Sequence, residues 1–170
     1  ADRSTLMRSF TGIKSLSPDL FRSPVAFTLG VFDGVHLGHQ SLLRDLQAWA
    51  KNDQGETVVL TFDQHPMFTL KGRGPATLTS LRHKLNYLEE YGADTVIVLP
   101  FDQEWAECSA EEFLDIITKH VSPKKVLLGA NHHFGKGRRG DIELAKKHAH
   151  RLGFEARELT LKIDGKPISS

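Results

Sequence analysis

The stretch VAFTLGVFDGVHLGHQ, residues 25–40, decides the fold. Its first five residues are apolar or β-branched, which is typical of a strand buried on both faces of a parallel sheet. Gly30, Gly34 and Gly38 then allow a tight turn, and an amphipathic helical pattern begins near Leu37. A strand, a glycine-rich turn and a helix in this order predict the first unit of an α/β domain.

The same alternation continues along the rest of the chain. Four apolar runs without strict alternation predict buried parallel strands at 25–30, 57–62, 95–101 and 124–129, and a less regular run lies at 155–161. Between them, helical patterns include runs at 78–91 and 141–152 and a capping box that opens at Ser109. Strand and helix in alternation imply right-handed crossovers. The predicted fold class is therefore α/β, a Rossmann-like doubly wound parallel sheet with helices on both faces.

Composition limits the class of protein. The 170 residues are 39% hydrophobic and 25% charged, which fits a single compact domain over residues 1–170. The formal net charge is +1, so no global basic field favours nucleic acid. The only cysteine, Cys108, excludes an intrachain disulfide framework and fits a reducing compartment, so we expect a cytoplasmic protein. No apolar run approaches the roughly 18 residues of a membrane helix, and we expect no membrane association.

Unusual residues follow four of the predicted strands. Ligands of doubly wound sheets bind beyond the carboxyl ends of the strands, so these segments should converge on one site. They are the glycine–histidine stretch at 30–39, DQHP at 63–66, GANHHFGKGRRGD at 129–141 and DGKPISS at 164–170.

His36 and His39 lie three residues apart at the predicted helix start, and three interpretations are open for them. A helix N-terminus beside glycines is a binding site for phosphate, to which imidazoles can donate as charge moves in a transition state. A zinc site more typically has histidines four residues apart with a carboxylate, and no such partner lies nearby. Two histidines that merely fill the helix start would leave the three glycines unexplained. The pattern favours phosphate.

The ordered motifs resemble a known family. GVFDGVHLGH looks like the HxGH signature of nucleotidyltransferases, and its context resembles the FMN adenylyltransferase module of prokaryotic bifunctional riboflavin kinase/FAD synthetases. The similarity continues in TFDQHP at 61–66, LTSLRHKLNYLEEYGAD at 78–94, SAEEF at 109–113, GKGRRGD at 135–141 and ISS at 168–170. The resemblance implies transfer of AMP from ATP to the phosphate of FMN, giving FAD and pyrophosphate, with Mg²⁺ on the nucleotide phosphates.

The resemblance implies roles on the ATP side. His36 and His39 would be catalytic, because they would bind the ATP phosphates and stabilise charge on the α-phosphate and the leaving pyrophosphate. Asn131, also in the catalytic set, would reach the nucleotide or its hydrated Mg²⁺. No protein nucleophile and no protein-held metal are expected, since FMN already carries an anionic phosphate oxygen. The implied ATP-binding residues are Gly30, Val31, Phe32, Asp33, Gly38, Ser169 and Ser170.

On the flavin side, the resemblance implies that Phe62 and Pro66 line the isoalloxazine slot, together with Phe134 from the later loop. Two positions depart from the family pattern. Gln64 stands where proline is frequent, and Met67 stands where a basic residue is frequent, which removes a possible contact to the FMN phosphate.

The densest basic patch is formed by Lys136, Arg138 and Arg139. Three cations in four positions suit the phosphates of FMN or ATP. The alternative is a solvated surface loop.

The C-terminal ISS looks like the start of the family's SST-x-x-R element, whose threonine and arginine are absent from this chain, as is the riboflavin kinase domain that usually follows. A second hypothesis is therefore a nucleotide- or flavin-binding module without turnover. A third is a related HxGH transferase that acts on phosphopantetheine or a cytidyl nucleotide. The partners expected are ATP and FMN, and no nucleic acid, because a KMSKS-like loop and a tRNA-binding extension do not appear. The oligomeric state stays open.

Overall fold

The computed structural model describes residues 7–30, 32, 37–63, 74–100, 102–129, 133–159, 162–163 and 166–167. Its strands are β1 (Arg8–Thr11), β2 (Val25–Leu29), β3 (Glu56–Asp63), β4 (Thr95–Pro100), β5 (Lys125–Gly129), β6 (Glu155–Leu159), β7 (Lys162–Ile163) and β8 (Lys166–Pro167). Its helices are α1 (Leu37–Asn52), α2 (Gly74–Glu90), α3 (Gln103–Ala106), α4 (Ala110–His120) and α5 (Ile142–Leu152).

The main sheet has the order β1-β4-β3-β2-β5-β6, and all of its neighbouring strands are parallel. From β2 the chain adds β3 and β4 on one side, and it then crosses to add β5 and β6 on the other. This order confirms the predicted doubly wound sheet. It also creates a topological switch point between β2 and β5, the position where ligands bind in such folds.

One strand was missed by the sequence pattern. The edge strand β1, with the sequence RSFT, alternates between half-buried and exposed residues and forms no apolar run. The less regular run at 155–161 contains strand β6 over Glu155–Leu159, and residues 160–161 lie outside the described part of the chain. The four strands predicted as buried agree with the structure to within a residue at either end.

Helices cover both faces of the sheet. On one face α1 and α2 pack against β2, β3 and β4, and the apolar side chains of α1 that face the sheet are buried: Leu42, Leu43, Leu46, Trp49 and Ala50. On the other face α4 and α5 pack against the opposite side chains of the same strands, such as Leu60 and Ile97. Each large side chain buried in these layers contributes about 1.5 to 3 kcal/mol.

Side-chain caps fix where α4 and α5 begin. The predicted capping box is present, because the Glu112 N–H donates to Ser109 Oγ (3.1 Å) and the Ser109 N–H donates to Glu112 Oε1 (3.4 Å). At the start of α5, the Leu144 N–H donates to Asp141 Oδ1 (2.9 Å). Both caps lie next to the basic loop at 133–141, so they hold its two flanks in place.

Candidate active site

The carboxyl ends of β2 and β5 meet at the switch point. Main-chain pairing between these strands joins Ala26 with Lys125 and Phe27 with Val126, whereas β2 pairs with β3 along its whole length. Beyond the last pair, the fully buried Thr28 donates from Oγ1 to the Leu127 carbonyl (2.6 Å). A side-chain hydrogen bond therefore joins the two strands at the base of the crevice.

Gly30 and Phe32 form a close turn at the end of β2. The Gly30 N–H donates to the Leu60 carbonyl (3.0 Å), and a Cβ on Gly30 would lie 2.9 Å from Cε2 of the Phe32 ring. Phe32 has a φ of 57°, unusual for a residue with a side chain, and its ring is only 2% exposed. The Phe32 ring thus belongs to the core between α1 and the sheet, and a side chain at position 30 would crowd this ring.

The N-terminus of α1 lies at the same edge as this turn. At the other end of the helix, Lys125 at the start of β5 donates to the Trp49 carbonyl (2.9 Å), so the last turn of α1 lies at the amino edge of the sheet. The first turn, which contains the backbone of Gly38 and His39, therefore lies at the carboxyl edge. The first N–H groups of a helix have no partner within the helix, and together with the positive end of the helix dipole they favour an anion.

Several predicted site residues lie outside the described part of the chain. Of the phosphate and ATP residues, these are Val31, Asp33, His36, Asn131, Ser169 and Ser170, and on the flavin side they are Pro66, Gln64 and Met67. For His39 the structure describes the backbone only. The roles of these residues stay predictions.

An aromatic cluster joins two of the predicted flavin residues. Phe62, half-buried at the end of β3, lies 6.1 Å from the Phe113 ring of α4 between ring centroids, and Phe134 lies 5.9 Å from the same ring. Trp105 packs on Phe113 from a third side at 5.8 Å. Phe113 was not predicted as a site residue, although the capping box places it on the apolar face of α4. Phe134 is only 4% exposed and supports the core, and its contact with flavin stays a prediction.

The basic loop is closed by main-chain hydrogen bonds. The Phe134 N–H donates to the Gly140 carbonyl (2.9 Å), and the Gly140 N–H donates back to the Phe134 carbonyl (2.8 Å). The Lys136 N–H donates to the Cys108 carbonyl (2.8 Å), which attaches the loop to the start of α4. The side chains of Lys136, Arg138 and Arg139 extend from this frame and are exposed. Three cations are therefore held on an ordered loop next to the aromatic cluster.

Burial raises the pKa of the Cys108 thiol, and the carboxylates of Glu112 and Glu104 raise it further against the opposing effect of Lys14. A thiol that stays protonated is a poor nucleophile. The one cysteine beside the basic loop is therefore unsuited to covalent catalysis.

Gly135 allows the loop to approach α4, and its replacement should be costly. Gly135 has a φ of 80°, and a Cβ on it would lie 2.7 Å from the Ala110 Cα. Gly137 has a φ of 66°, but a Cβ there would meet nothing closer than 3.7 Å. We expect Gly137→Ala to lower the free energy of unfolding by about 1 to 2 kcal/mol, the cost of the left-handed conformation. Gly135→Ala should cost about 1 to 3 kcal/mol more because of overpacking.

Urea unfolding of the two variants measures this difference. Gly137→Ala is the control for a left-handed backbone without crowding. Gly135 combines its φ of 80° with a ψ of 176°, a region open essentially to glycine, so its backbone strain adds to the contact with Ala110. Equal losses of stability in the two variants would show that the contact with Ala110 is not tight.

Comparison with known proteins identifies relatives over most of the chain. A family model described as FAD synthetase matches residues 20–170. The bifunctional riboflavin kinase/FMN adenylyltransferase of Escherichia coli K12 is 36% identical over 151 residues, covering 88% of this chain and 48% of the relative. The Haemophilus influenzae enzyme of the same name is 36% identical over 148 residues, covering 85% and 48%. A Geobacillus thermodenitrificans protein described as a putative enzyme of that name is 32% identical, covering 84% of this chain and 76% of the relative. The chain thus spans about half the length of the first relatives it matches.

Solved structures share the fold. A Streptococcus pneumoniae crystal structure described as a macrolide-efflux protein matches 97% of this chain and 55% of the chain in that structure, with a TM-score of 0.72 and 23% identity. The pantoate-beta-alanine ligase of Francisella tularensis, complexed with beta-gamma ATP and beta-alanine, matches 96% of this chain and 71% of the ligase chain, with a TM-score of 0.55 and 14% identity. At these identities the likeness shows the α/β fold alone. None of the helices that the structure describes is both long and apolar enough to cross a membrane.

Proposed function

The chain belongs to the FAD synthetase family, whose model matches residues 20–170, and on that premise we propose that it transfers AMP from ATP to FMN, giving FAD and pyrophosphate. The observation that carries the proposal is the arrangement at the switch point. The N-terminus of α1 and the Gly30 turn lie at the carboxyl edge of the sheet, which β3 and its Phe62 also reach. An anion site and an aromatic surface at one edge suit a nucleotide and a flavin phosphate.

We propose that the reaction is a direct displacement. An FMN phosphate oxygen attacks the α-phosphorus of ATP, a new P–O bond forms, and the bond from the α-phosphorus to the bridging oxygen breaks as pyrophosphate leaves. Such a reaction needs two anions held in line and their charge neutralised, which positioning and hydrogen-bond donors supply. His36, His39 and Asn131 are our proposed catalytic residues, with donors at the α-phosphate and at the leaving group.

The two substrates are proposed to occupy neighbouring parts of the edge. The proposed ATP-binding residues are Gly30, Val31, Phe32, Asp33, Gly38, Ser169 and Ser170. Because the Phe32 ring is buried, Phe32 would meet the nucleotide through its backbone. The proposed flavin-binding residues are Phe62, Pro66 and Phe134, and the exposed cations of Lys136, Arg138 and Arg139 are proposed to attract the phosphates.

We propose that Mg²⁺ arrives with ATP. Within the ranges that the structure describes, no three His, Cys, Asp or Glu side chains lie close enough together to hold a metal ion. Mg²⁺ usually keeps several waters and is bound through substrate phosphates with one or two protein ligands. When bound, the ion would neutralise charge on the phosphates, and Asn131 is the residue we propose to reach its hydration shell.

We further propose that residues 1–170 act as one FMN adenylyltransferase domain in the cytoplasm. The small molecules ATP and FMN are its proposed partners, rather than nucleic acid. The support is the continuous match over residues 20–170, the near-neutral charge and the single cysteine.

The test is product formation by this chain. Incubation with FMN, ATP and Mg²⁺, followed by separation of the flavins, should give FAD and pyrophosphate in equal amounts. Riboflavin in place of FMN is the control, because it lacks the attacking phosphate and should give no dinucleotide. Binding of ATP or FMN without pyrophosphate release would instead support a module without turnover. Failure to bind FMN, with turnover of phosphopantetheine or a cytidyl nucleotide, would support a related transferase.

A further inference from the structure

Lys84 on α2 is a buried lysine at the carboxyl edge of the sheet. Its residue is only 8% exposed, whereas its neighbours Arg82 and His83 are exposed. The Lys84 ammonium donates to the Phe62 carbonyl (3.0 Å) near the end of β3. Lysine is almost never buried to this degree unless its donors are engaged, because burial of a charge is costly. The side chain is therefore held at one place.

The direction of the Phe62 carbonyl shows where the ammonium lies. Carbonyl groups of alternate residues along a strand point toward the same neighbouring strand. The Leu60 carbonyl faces β2, since it accepts from the Gly30 N–H (3.0 Å). The Phe62 carbonyl therefore faces the same side, one step beyond Gly30, where β2 has ended at Leu29. Lys84 therefore donates to the end of β3 on the side of β2, one residue pair beyond the hydrogen bond that holds Gly30.

We propose that Lys84 is a positioning residue for the ATP half of the adenylyl-transfer site, an inference that rests on the proposed function. Its ammonium holds the main chain of Phe62 at the end of β3. Two residues earlier on the same strand, the Leu60 carbonyl accepts from the N–H of Gly30, one of the proposed ATP-binding residues.

The flavin half should depend less on Lys84. Phe62 directs its ring to the α4 face of the sheet, where it packs on Phe113. Lys84 approaches the main chain of Phe62 from α2, which packs on the opposite face. Loss of the amine should therefore disturb the nucleotide more than the isoalloxazine ring.

Three variants test the proposal. Lys84→Met keeps most of the apolar stem and removes the amine, Lys84→Arg keeps the charge and the donors, and Arg82→Met removes one exposed positive charge from the same helix as a matched control. We expect Lys84→Met to lower kcat/KM for ATP by about 10- to 100-fold, the loss typical of a small misplacement of reacting groups. The KM for FMN should change by less than about threefold, and Lys84→Arg should recover part of the loss. Arg82→Met should match the unaltered chain.

Kinetics at a temperature where each variant is folded separates positioning from stability. A Lys84→Met variant with unaltered kcat/KM for ATP would overturn the proposal, and so would equal losses toward ATP and FMN. If Lys84→Met does not fold, Lys84→Arg decides, because its activity defect must then appear in the ATP parameters and not in those for FMN.

Calorimetry with a non-hydrolysable ATP analogue distinguishes failure of this inference from failure of the proposed function. If the chain makes no FAD, the proposed function is refuted. The affinity of each variant for the ATP analogue then tests the role of Lys84 independently of turnover. If the analogue binds Lys84→Met at least tenfold more weakly than it binds Arg82→Met, the positioning role is supported. Equal affinities of the two variants would contradict it.

Discussion

Replacement of His36 or of His39 by alanine is expected to lower the kcat of FAD formation by about 100- to 1000-fold, the loss typical when one donor to a developing charge is removed. In the sequence His36 directly precedes α1, and His39 belongs to the first turn of that helix. That turn lies at the carboxyl edge, because the last turn of the same helix contacts Lys125 at the amino edge. Imidazoles there would add donors to an end of the helix that already favours phosphate.

Stability should hardly change in these variants. Alanine is the best helix former, so His39→Ala should leave the free energy of unfolding within about 1 kcal/mol of the original value. The measurements are initial rates of FAD formation and urea unfolding. His150→Ala, an exposed histidine on α5, is the matched control and should retain full activity. If either His36→Ala or His39→Ala keeps its kcat within about threefold of the control, the catalytic role assigned to that histidine is wrong.

The sequence predicted those parts of the fold that depend on local pattern. Strands β2 and β4 are buried along nearly their whole length. Their apolar runs could therefore be recognised in the sequence without knowledge of the strands they pair with. The capping box at Ser109 was likewise visible, because all of its hydrogen bonds lie within one turn. Edge strand β1 could not be recognised in this way, since RSFT becomes a strand only through its pairing with β4, far along the chain.

Residues whose role depends on distant contacts were beyond the reach of such patterns. Lys84 appears in the sequence as an ordinary helical lysine, and only the packing of α2 beside the end of β3 brings its ammonium to the Phe62 carbonyl. The Phe32 ring is buried and its backbone is left-handed, and neither feature can be seen from its position in the sequence. The aromatic cluster also depends on the fold, because its rings come from β3, α3, α4 and the basic loop.

The second large effect is expected for Phe113→Ala. The Phe113 ring is 2% exposed and contacts the rings of Phe62, Phe134 and Trp105. Its removal should lower the free energy of unfolding by about 3 to 5 kcal/mol, the usual cost of truncating a core phenylalanine. Because the cavity would lie directly behind Phe62, we also expect the KM for FMN to rise about tenfold, as a small misplacement at a binding surface would produce.

Phe154→Ala distinguishes this local effect from general destabilisation. Phe154 is buried in the same core layer, but it precedes β6 and so lies at the amino edge, away from the proposed site. Its truncation should cost a similar free energy of unfolding and leave the KM for FMN unchanged. Urea unfolding and FMN saturation curves, both at a temperature where the two variants stay folded, measure the contrast. If both variants raise the KM for FMN equally, the kinetic defect arises from general destabilisation of the core. If only Phe113→Ala raises it, Phe113 supports the flavin surface through Phe62.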